Sequence, residues 1–322
     1  MSEKQYTYAV ARIRSKELTL LTASFLDQLL AAKDYEECMQ LLSDRGWGSD
    51  GKETSEAMLA GEREKTWNLI GELADDMSVF DVFLYANDYH NLKAAVKEAC
   101  TGTDTPNIYL GQGTVAAEVI AKAVKEQNFS LLPDRMQEPA REAFQALLHT
   151  RDGQLCDIMI DKAALDAIYA AGKASGNKLL ELYGEVTVAT ADIKTAVRAQ
   201  KTGKDLTFLK RALAECGTLN CTRLAQAAAA GFDEICSYLE TTEYRDAVAE
   251  LRTSASAFER WCDDLLIRSI KPQLYNAFTV GPLAAYILAR ENEIKTVRII
   301  LSGKLNHLSE ESIRERVREM YV

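Results

Sequence analysis

Apolar side chains recur at the spacing of an amphipathic helix along nearly the whole chain. Phe25, Leu29 and Leu30 follow this spacing near the amino end, and the apolar positions between Leu283 and Leu301 follow it near the carboxyl end. A helix buries such positions on one face. Residues 107–110 and 158–160 could form strands, but both stretches are too short and too isolated to build a sheet. The pattern therefore predicts an all-α fold.

A short helical phrase centred on lysine recurs three times at a constant interval. It reads NLKAAV at residues 91–96, DIKTAV at residues 192–197 and EIKTV at residues 293–297. The lysines are Lys93, Lys194 and Lys295, each 101 residues after the one before. A period of this length indicates one supersecondary unit that is used three times.

A second phrase recurs between the lysine phrases. Thr22, Thr114 and Thr218 each open about two turns of apolar spacing, which end at a small or polar residue before an aromatic side chain. Ser309 opens a fourth, similar stretch. Because serine and threonine hydroxyls accept hydrogen bonds from the first turn of a helix, we predict helix caps at these four positions.

The two ends of the chain are complementary within this repeat. Residues 15–22 parallel residues 302–309, so the chain begins with the tail of one unit and finishes with the head of another. We predict three similar helical bundles, with domains at 1–110, 111–215 and 216–322. A closed or nearly closed, pseudo-three-fold arrangement would place the last helix beside the first.

The composition narrows the class of protein. The chain has 322 residues, a formal net charge of −10 and five prolines. Phosphate binding needs clustered Lys and Arg, so the negative charge argues against a nucleic-acid partner. Abundant alanine, leucine, lysine and glutamate favour helices.

Cysteine usage and the apolar stretches indicate a cytoplasmic protein. The seven cysteines form no CxxC pair, which favours reduced, mostly buried thiols. The amino terminus lacks the apolar core of a signal peptide. The longest strongly apolar stretch, residues 280–289, is about half of the roughly 20 residues that span a bilayer. We therefore expect no membrane-spanning segment.

One glycine motif could suggest a nucleotide site. Residues 111–116 read GQGTVA, which fits the GxGxxG/A pattern of dinucleotide-binding proteins. That pattern works where a strand feeds a helix whose amino end receives the pyrophosphate. Here no strand–helix alternation follows, and Gly217–Thr218 occupies the matching turn of the next repeat. We interpret the motif as the turn before a helix.

Other candidate chemistry is sparse. The three histidines, at positions 90, 149 and 307, lack the spacing of metal ligands, and Cys216 and Cys221 lack a second pair. The acidic pairs 75–76 and 263–264 point in directions about 100° apart on a helix, so neither pair forms a shared carboxylate site. We interpret both as solvated helix faces. No catalytic residue, cofactor or metal is expected.

Basic residues are concentrated at the carboxyl end of this acidic chain. Arg298, Lys304, Arg314, Arg316 and Arg318 could compensate helix dipoles and form surface salt bridges. Alternatively, they form a docking patch for an acidic partner. Both interpretations are open from the sequence.

The carboxyl-terminal repeat carries a specific resemblance. Residues 281–306, GPLAAYILARENEIKTVRIILSGKLN, resemble the signature of the C subunit of bacterial and archaeal V-type ATPases. That family, V0D/AC39, includes the eukaryotic d subunit. DYHNLK at residues 88–93 is similar to its first-repeat counterpart, and YAVARIR at residues 8–14 also fits. The resemblance extends over nearly the whole chain.

The resemblance implies a non-catalytic rotor subunit. In this family a funnel-shaped, all-helical protein of three similar domains sits on the cytoplasmic side of the proteolipid ring and receives the central stalk. The expected partners are the ring and the D and F subunits of the stalk, with one copy per complex that drives proton or sodium transport. The middle repeat departs from the pattern, because Gly184 and residues 186–188 are expected to interrupt its helix.

The candidate interface residues come from the lysine repeat and from the basic carboxyl end of the chain. If the three lysines lie along equivalent helices of a three-fold body, they form a symmetric triad that faces the ring. The full candidate set comprises Lys93, Lys194, Lys295, Arg298, Lys304, Arg314 and Arg318.

Two other functions are open from the sequence. The first is a free-standing helical scaffold or adaptor for a soluble partner. The second is a nucleotide-dependent enzyme built around Gly111 and Gly113.

Overall fold

The computed structural model describes residues 6–48, 54–103 and 105–322. Within these ranges the chain forms α-helices, short 3-10 turns and loops, and no β-strand. The predicted all-α fold is therefore confirmed. The α-helices are α1 Thr7–Glu17, α2 Ala23–Ala31, α3 Tyr35–Asp44, α4 Ser55–Leu73, α5 Tyr85–Thr101, α6 Ala117–Lys125, α7 Asp134–Thr150, α8 Gly153–Ala174, α9 Lys178–Lys201, α10 Leu206–Ala212, α11 Cys221–Ala230, α12 Phe232–Leu239, α13 Ala247–Thr253, α14 Ala255–Ile270, α15 Gly281–Leu305 and α16 Glu310–Arg314.

The chain divides into two compact units. One unit joins the two chain ends, Met1–Met77 and Asp246–Val322, and the other is the continuous segment Ser78–Arg245. The three-domain division predicted from the repeats stays a prediction.

The long helix α15 organises the unit made from the chain ends. It contacts α1, α3, α4 and α14, and α16 packs against both α15 and α2. Phe25 and Leu29 of α2 share one buried core with Val297 of α15 and Ile313 of α16. The last helix therefore lies beside α2 of the amino-terminal segment. The closed, pseudo-three-fold arrangement stays a prediction.

The helices α8 and α9 of the continuous unit pack closely against each other. A Cβ atom added to Gly172 of α8 would lie 2.7 Å from the carbonyl oxygen of Leu180, and one added to Gly184 of α9 would lie 3.2 Å from that of Ile168. The expected interruption at Gly184 is wrong, because α9 is continuous through it. The glycine instead allows two helix backbones to approach closely.

Two of the four predicted caps are confirmed. The Thr22 hydroxyl accepts a hydrogen bond from the Phe25 N–H at 3.3 Å, and Ser309 accepts one from the Ser312 N–H at 3.2 Å. Thr114 and Thr218 do not cap. The residues before α6 and α11 are Ala116 and Asn220, and only Asn220 supplies a side-chain cap.

All seven cysteines are reduced thiols, and five of them are buried, as expected. Within the described ranges, the helices are all too short or too polar to cross a bilayer.

Candidate functional site

The long helices α5, α9 and α15 carry the three lysine phrases and share a buried polar position. Two residues before each lysine lie Asn91, Asp192 and Glu293, all buried. Each side chain accepts a hydrogen bond from a backbone N–H in a loop that leads towards a helix start. The donors, in the same order, are Leu110, Ala214 and Leu21. We call this shared position the buried anchor.

The third anchor reaches across the chain ends. Glu293 lies on the last long helix, whereas its donor, Leu21, immediately precedes the Thr22 cap of α2. The loops that contain Leu110 and Ala214 follow their own long helices in sequence. In the first two copies of the repeat, the loop after the long helix supplies the N–H donor. In the third copy, the amino-terminal segment supplies it.

Burial changes the ionisation of the two acidic anchors, Asp192 and Glu293. Loss of hydration raises the pKa of Asp192 to about 7 and that of Glu293 to about 7. The Arg290 guanidinium, 2.6 Å from Glu293, favours the ionised carboxylate. Asp192 accepts the Ala214 N–H at 3.1 Å and faces the Cys221 thiol at 3.6 Å. Asn91 is uncharged, so its burial in the first copy of the repeat does not strip water from a charged group.

Glycine–threonine turns hold a second pair of buried carboxylates. Asp88 accepts hydrogen bonds from the N–H and the hydroxyl of Thr114, at 2.8 and 2.5 Å. Glu185 accepts the corresponding pair from Thr218, at 2.7 and 2.8 Å. These hydroxyls serve carboxylates on the long helices, which explains why neither caps the following helix.

The glycines in these turns make room for the carboxylates. A Cβ atom on Gly113 would lie 2.5 Å from an Asp88 oxygen, and one on Gly217 would lie 3.0 Å from a Glu185 oxygen. The repeat predicted the two matching turns but not their acidic partners. Asp88 on α5 and Glu185 on α9 lie 26 and 33 residues before the threonines that they bind, so no local sequence pattern links them to these turns.

A buried arginine network joins α4 to α15. Arg290 donates to Glu62 and Glu293 at 2.5 and 2.6 Å, and its guanidinium lies 5.1 Å from the Trp47 ring centroid. Three charged side chains thus share one dehydrated site. In the sequence, Arg290 stood out only as the end of an apolar run.

Two of the three candidate lysines tie helices together within a unit. Lys93 of α5 pairs with Asp161 of α8, and Lys295 of α15 pairs with Asp263 of α14 at 2.5 Å. Lys194 is partly exposed on α9. The structure brings Lys295 close to Arg318 through their shared partner Asp263. A ring-facing triad stays a prediction.

The basic residues of the carboxyl end also have partners within the fold. Arg298 pairs with Glu56 at 2.9 Å and Arg314 with Asp27 at 2.6 Å, both at the surface. The Lys304 amine donates to the carbonyl oxygen of Leu30 at 2.7 Å, near the end of α2.

Arg318 differs from the other basic residues, because its side chain is only 4% exposed and bonds Asp263 at 2.8 Å. The interpretation as surface salt bridges therefore describes Arg298 and Arg314. A partner contact of the basic residues stays a prediction.

Comparison with known proteins identifies the family. The sequence model of the family described as ATP synthase (C/AC39) subunit matches residues 9–316. The chain belongs to this family.

Several relatives match over almost their whole length. The C subunit of the V-type sodium ATPase of Enterococcus hirae is 25% identical over 319 residues, which cover 96% of this chain and 97% of that protein. The C subunit of the V-type ATP synthase of Thermus thermophilus is 25% identical over 327 residues, covering 97% and 98%. The C subunit of the A-type ATP synthase of Methanocaldococcus jannaschii is 25% identical over 341 residues, covering 96% and 85%.

The ATP synthase (C/AC39) subunit is a non-catalytic part of a rotary ATPase. The glycine motif of this member agrees with that role. Asp88 accepts the N–H groups of Thr114 and Val115, at 2.8 and 3.2 Å. In a dinucleotide site these N–H groups would have to bind the pyrophosphate. Here they donate to the buried Asp88 carboxylate instead.

The second acidic pair is structural in this family member. Asp263 pairs with Lys295 and Arg318, and the partly buried Asp264 accepts the Glu319 N–H at 2.7 Å. The interpretation of this pair as a solvated face is therefore wrong, because both carboxylates fasten the carboxyl-terminal segment. Asp75 and Asp76 are exposed, as predicted, but they lie in the loop after α4 and not on a helix face.

The thiols are held in an unreactive form. Burial raises the pKa of Cys38 to about 11 and that of Cys156 to about 11, so both stay protonated near neutrality. In the described part of the chain, His, Cys, Asp and Glu form no group of three or more that could hold a metal ion.

Proposed function

We propose that this protein is the rotor coupling of a V- or A-type ATPase. It sits on the cytoplasmic side of the membrane, binds the proteolipid ring on one side and the D and F subunits of the central stalk on the other, and is present once per complex. It transmits torque for proton or sodium transport and performs no chemistry itself. Its family membership supports the rotary complex, and the finer role is our inference.

The buried anchors are the observation that carries this proposal. A part that transmits torque must resist shear between its helices and the loops that connect them. Asn91, Asp192 and Glu293 each fix a loop to a long helix through a hydrogen bond that is shielded from water. Such bonds are stronger than solvent-exposed ones and are costly to break. The repeated polar side chains thus stiffen the body instead of reacting.

Co-purification tests the proposal. Tagged protein is isolated from detergent-solubilised membranes of its source cells, and the bound proteins are identified by mass spectrometry. We expect the proteolipid ring together with the D and F subunits of the stalk. As a control, tagged protein is unfolded before it is mixed with the solubilised membranes, and the proteins that it still captures are counted as non-specific. Capture of soluble proteins alone would contradict the rotor role and support the scaffold alternative.

A further inference from the structure

A basic surface lies on the carboxyl half of α9 and on the short helix α10 that follows it. From Lys194 to Glu215 the chain carries six basic and two acidic side chains, although its overall net charge is −10. Lys194, Arg198 and Lys201 are spaced by four and three residues, so they lie along one face of α9. We call this row the basic stripe. The neighbouring α10 packs against α9 and adds two cations in its last turn, Lys210 and Arg211.

These cations lack acidic partners in the part of the chain that the structure describes. The basic stripe forms no ion pair there, and neither do the two cations of α10. Arg198 and Lys201 are exposed, and Lys194 is partly exposed. The positive charge of this surface is therefore open to solvent.

The acidic side chains of the adjoining helices are engaged elsewhere. The three aspartates of α8 each pair with a lysine outside the basic stripe: Asp157 with Lys97, Asp161 with Lys93 and Asp166 with Lys162. The helix α11 has no acidic residue. Asp233 and Glu234 lie in the first turn of α12, and neither pairs with the stripe. Asp205 caps α10 by accepting the Phe208 N–H at 2.8 Å.

The repeat supplies an internal comparison. Lys93 and Lys97 precede Lys194 and Arg198 by 101 residues and lie on the equivalent long helix, α5. Both are neutralised by aspartates of α8. Lys295, the third lysine of the series, is neutralised by a carboxylate of α14. Among the described residues, the middle copy differs from the other two because its lysine phrase keeps its positive charge.

The basic surface is charged but not apolar. Between Lys194 and Glu215 no large hydrophobic side chain is exposed. Protein interfaces are built around an apolar core and are depleted of lysine, so an acidic protein segment would bury little here. Clusters of Lys and Arg on a helix face are typical of binding to anionic lipid headgroups, and each such residue strengthens the binding several-fold.

We propose that the basic stripe, together with Lys210 and Arg211, binds the anionic headgroups of a membrane surface. The binding is electrostatic, because this surface exposes no large apolar side chain that could enter the lipid tails. The choice of a membrane among polyanions rests on the proposed function, which puts the protein beside a lipid bilayer. Direct lipid contact goes beyond that function, which requires contact with protein subunits only.

A triple variant of the full chain tests the assignment. Lys194→Gln, Arg198→Gln and Lys201→Gln together remove the charge of the stripe and keep polar side chains. Binding is measured by co-sedimentation with vesicles of phosphatidylcholine, with and without phosphatidylserine. We expect wild type to bind only the anionic vesicles, and less at higher salt, because salt screens exposed charges. The variant should bind the anionic vesicles at least about ten-fold more weakly.

A matched variant controls for net charge. Lys122→Gln, Lys125→Gln and Lys178→Gln together remove three exposed cations from α6 and from the amino end of α9, which also form no ion pair among the described residues. Both variants lose the same charge, and only the first should lose vesicle binding. Circular dichroism verifies that both are folded.

The other outcomes would each overturn the assignment. Equal vesicle binding by the two variants would do so, as would a failure of wild type to prefer anionic vesicles. Tighter binding of wild type to a polyglutamate peptide or to a short DNA duplex than to anionic vesicles would assign the stripe to another polyanion. A lower melting temperature with unchanged vesicle binding in the first variant would leave the stripe as compensation of the helix dipole. Vesicle binding involves no other subunit, so each of these failures leaves the co-purification test of the rotor function unaffected.

Discussion

At the scale of single residues, this protein buries acidic side chains, as enzymes often do with catalytic carboxylates. Here these side chains hold loops in place. Asp88 and Glu185 are saturated by Gly–Thr turns, and Asp192 and Glu293 accept backbone N–H groups. A carboxylate that already bonds the backbone has little capacity to bind substrate. The raised pKa values of Asp192 and Glu293 therefore report burial and do not by themselves indicate catalysis.

Asp192 gives a testable pH dependence. Its pKa is raised from an ordinary 3.8 to about 7 by burial, so the folded state holds a proton that the unfolded state releases. Its contribution is therefore fully present below about pH 4 and is lost as the pH rises through 7. Over about three pKa units the loss approaches 4 kcal/mol as an upper limit.

Asp192→Asn should remove this dependence, because the amide is uncharged like Asn91 in the first copy. We expect the variant to exceed wild type in free energy of unfolding at pH 8 by about 2 kcal/mol, with little difference at pH 4. Urea unfolding at both pH values measures this. Glu126→Gln, at an exposed position, is the control and should leave the profile unchanged. An unaltered profile in Asp192→Asn would show that Asp192 is already ionised in the native protein.

At the scale of helices, backbone proximity decides which glycines matter. Gly172 and Gly184 lie where α8 and α9 touch, whereas a Cβ built on Gly71 of α4 would meet no described atom within 4 Å beyond its own stretch of helix. From the sequence alone, the glycines inside predicted helices are equivalent weak points. Only the packing shows that Gly172 and Gly184 are required.

The same substitution should therefore have opposite effects at two helical positions. Gly172→Ala places a methyl group 2.7 Å from the Leu180 carbonyl oxygen and should destabilise the protein by about 1–3 kcal/mol. Gly71→Ala meets no obstacle among the described residues and should stabilise it by about 0.5–1 kcal/mol through helix propensity. Thermal unfolding of both variants measures the signs. Stabilisation by both would mean that α8 and α9 are further apart than described.

At the scale of the whole molecule, the chain ends depend on each other. The core of their shared unit combines Phe25 and Leu29 with Val297 and Ile313, so neither end segment can bury its apolar face alone. The segment Ser78–Arg245 has its own core around Leu92, Ile120 and Ile160. Independent folding is a property of a unit with its own core.

Fragments test this division. Residues 78–245 expressed alone should be helical and unfold cooperatively, whereas residues 1–77 alone should show little stable structure. Mixing 1–77 with 246–322 should restore helicity, because α15 and α16 supply the missing core. Circular dichroism of each fragment and of the mixture measures the gain. A folded 1–77 fragment would contradict this dependence, and 78–245 with 1–77 serves as the mismatched pair.

The sequence alone determined the helical class, the repeat, the Thr22 and Ser309 caps and the family resemblance. Each of these depends on local periodicity or on short-range hydrogen bonding, which residue order specifies directly. It also placed the lysine phrases on long helices, and the family assignment drawn from the carboxyl-terminal repeat was confirmed.

The tertiary structure decided which polar groups are buried together. Asp88 meets Thr114 across 26 residues and Glu293 meets Leu21 across 272, so no local pattern reveals either contact. Similar long-range contacts engage the Thr114 and Thr218 hydroxyls, which therefore do not cap helices, and fix the carboxyl-terminal segment to Asp263 and Asp264. The energy of a buried charge depends on its neighbours in space, and the folded packing alone supplies them.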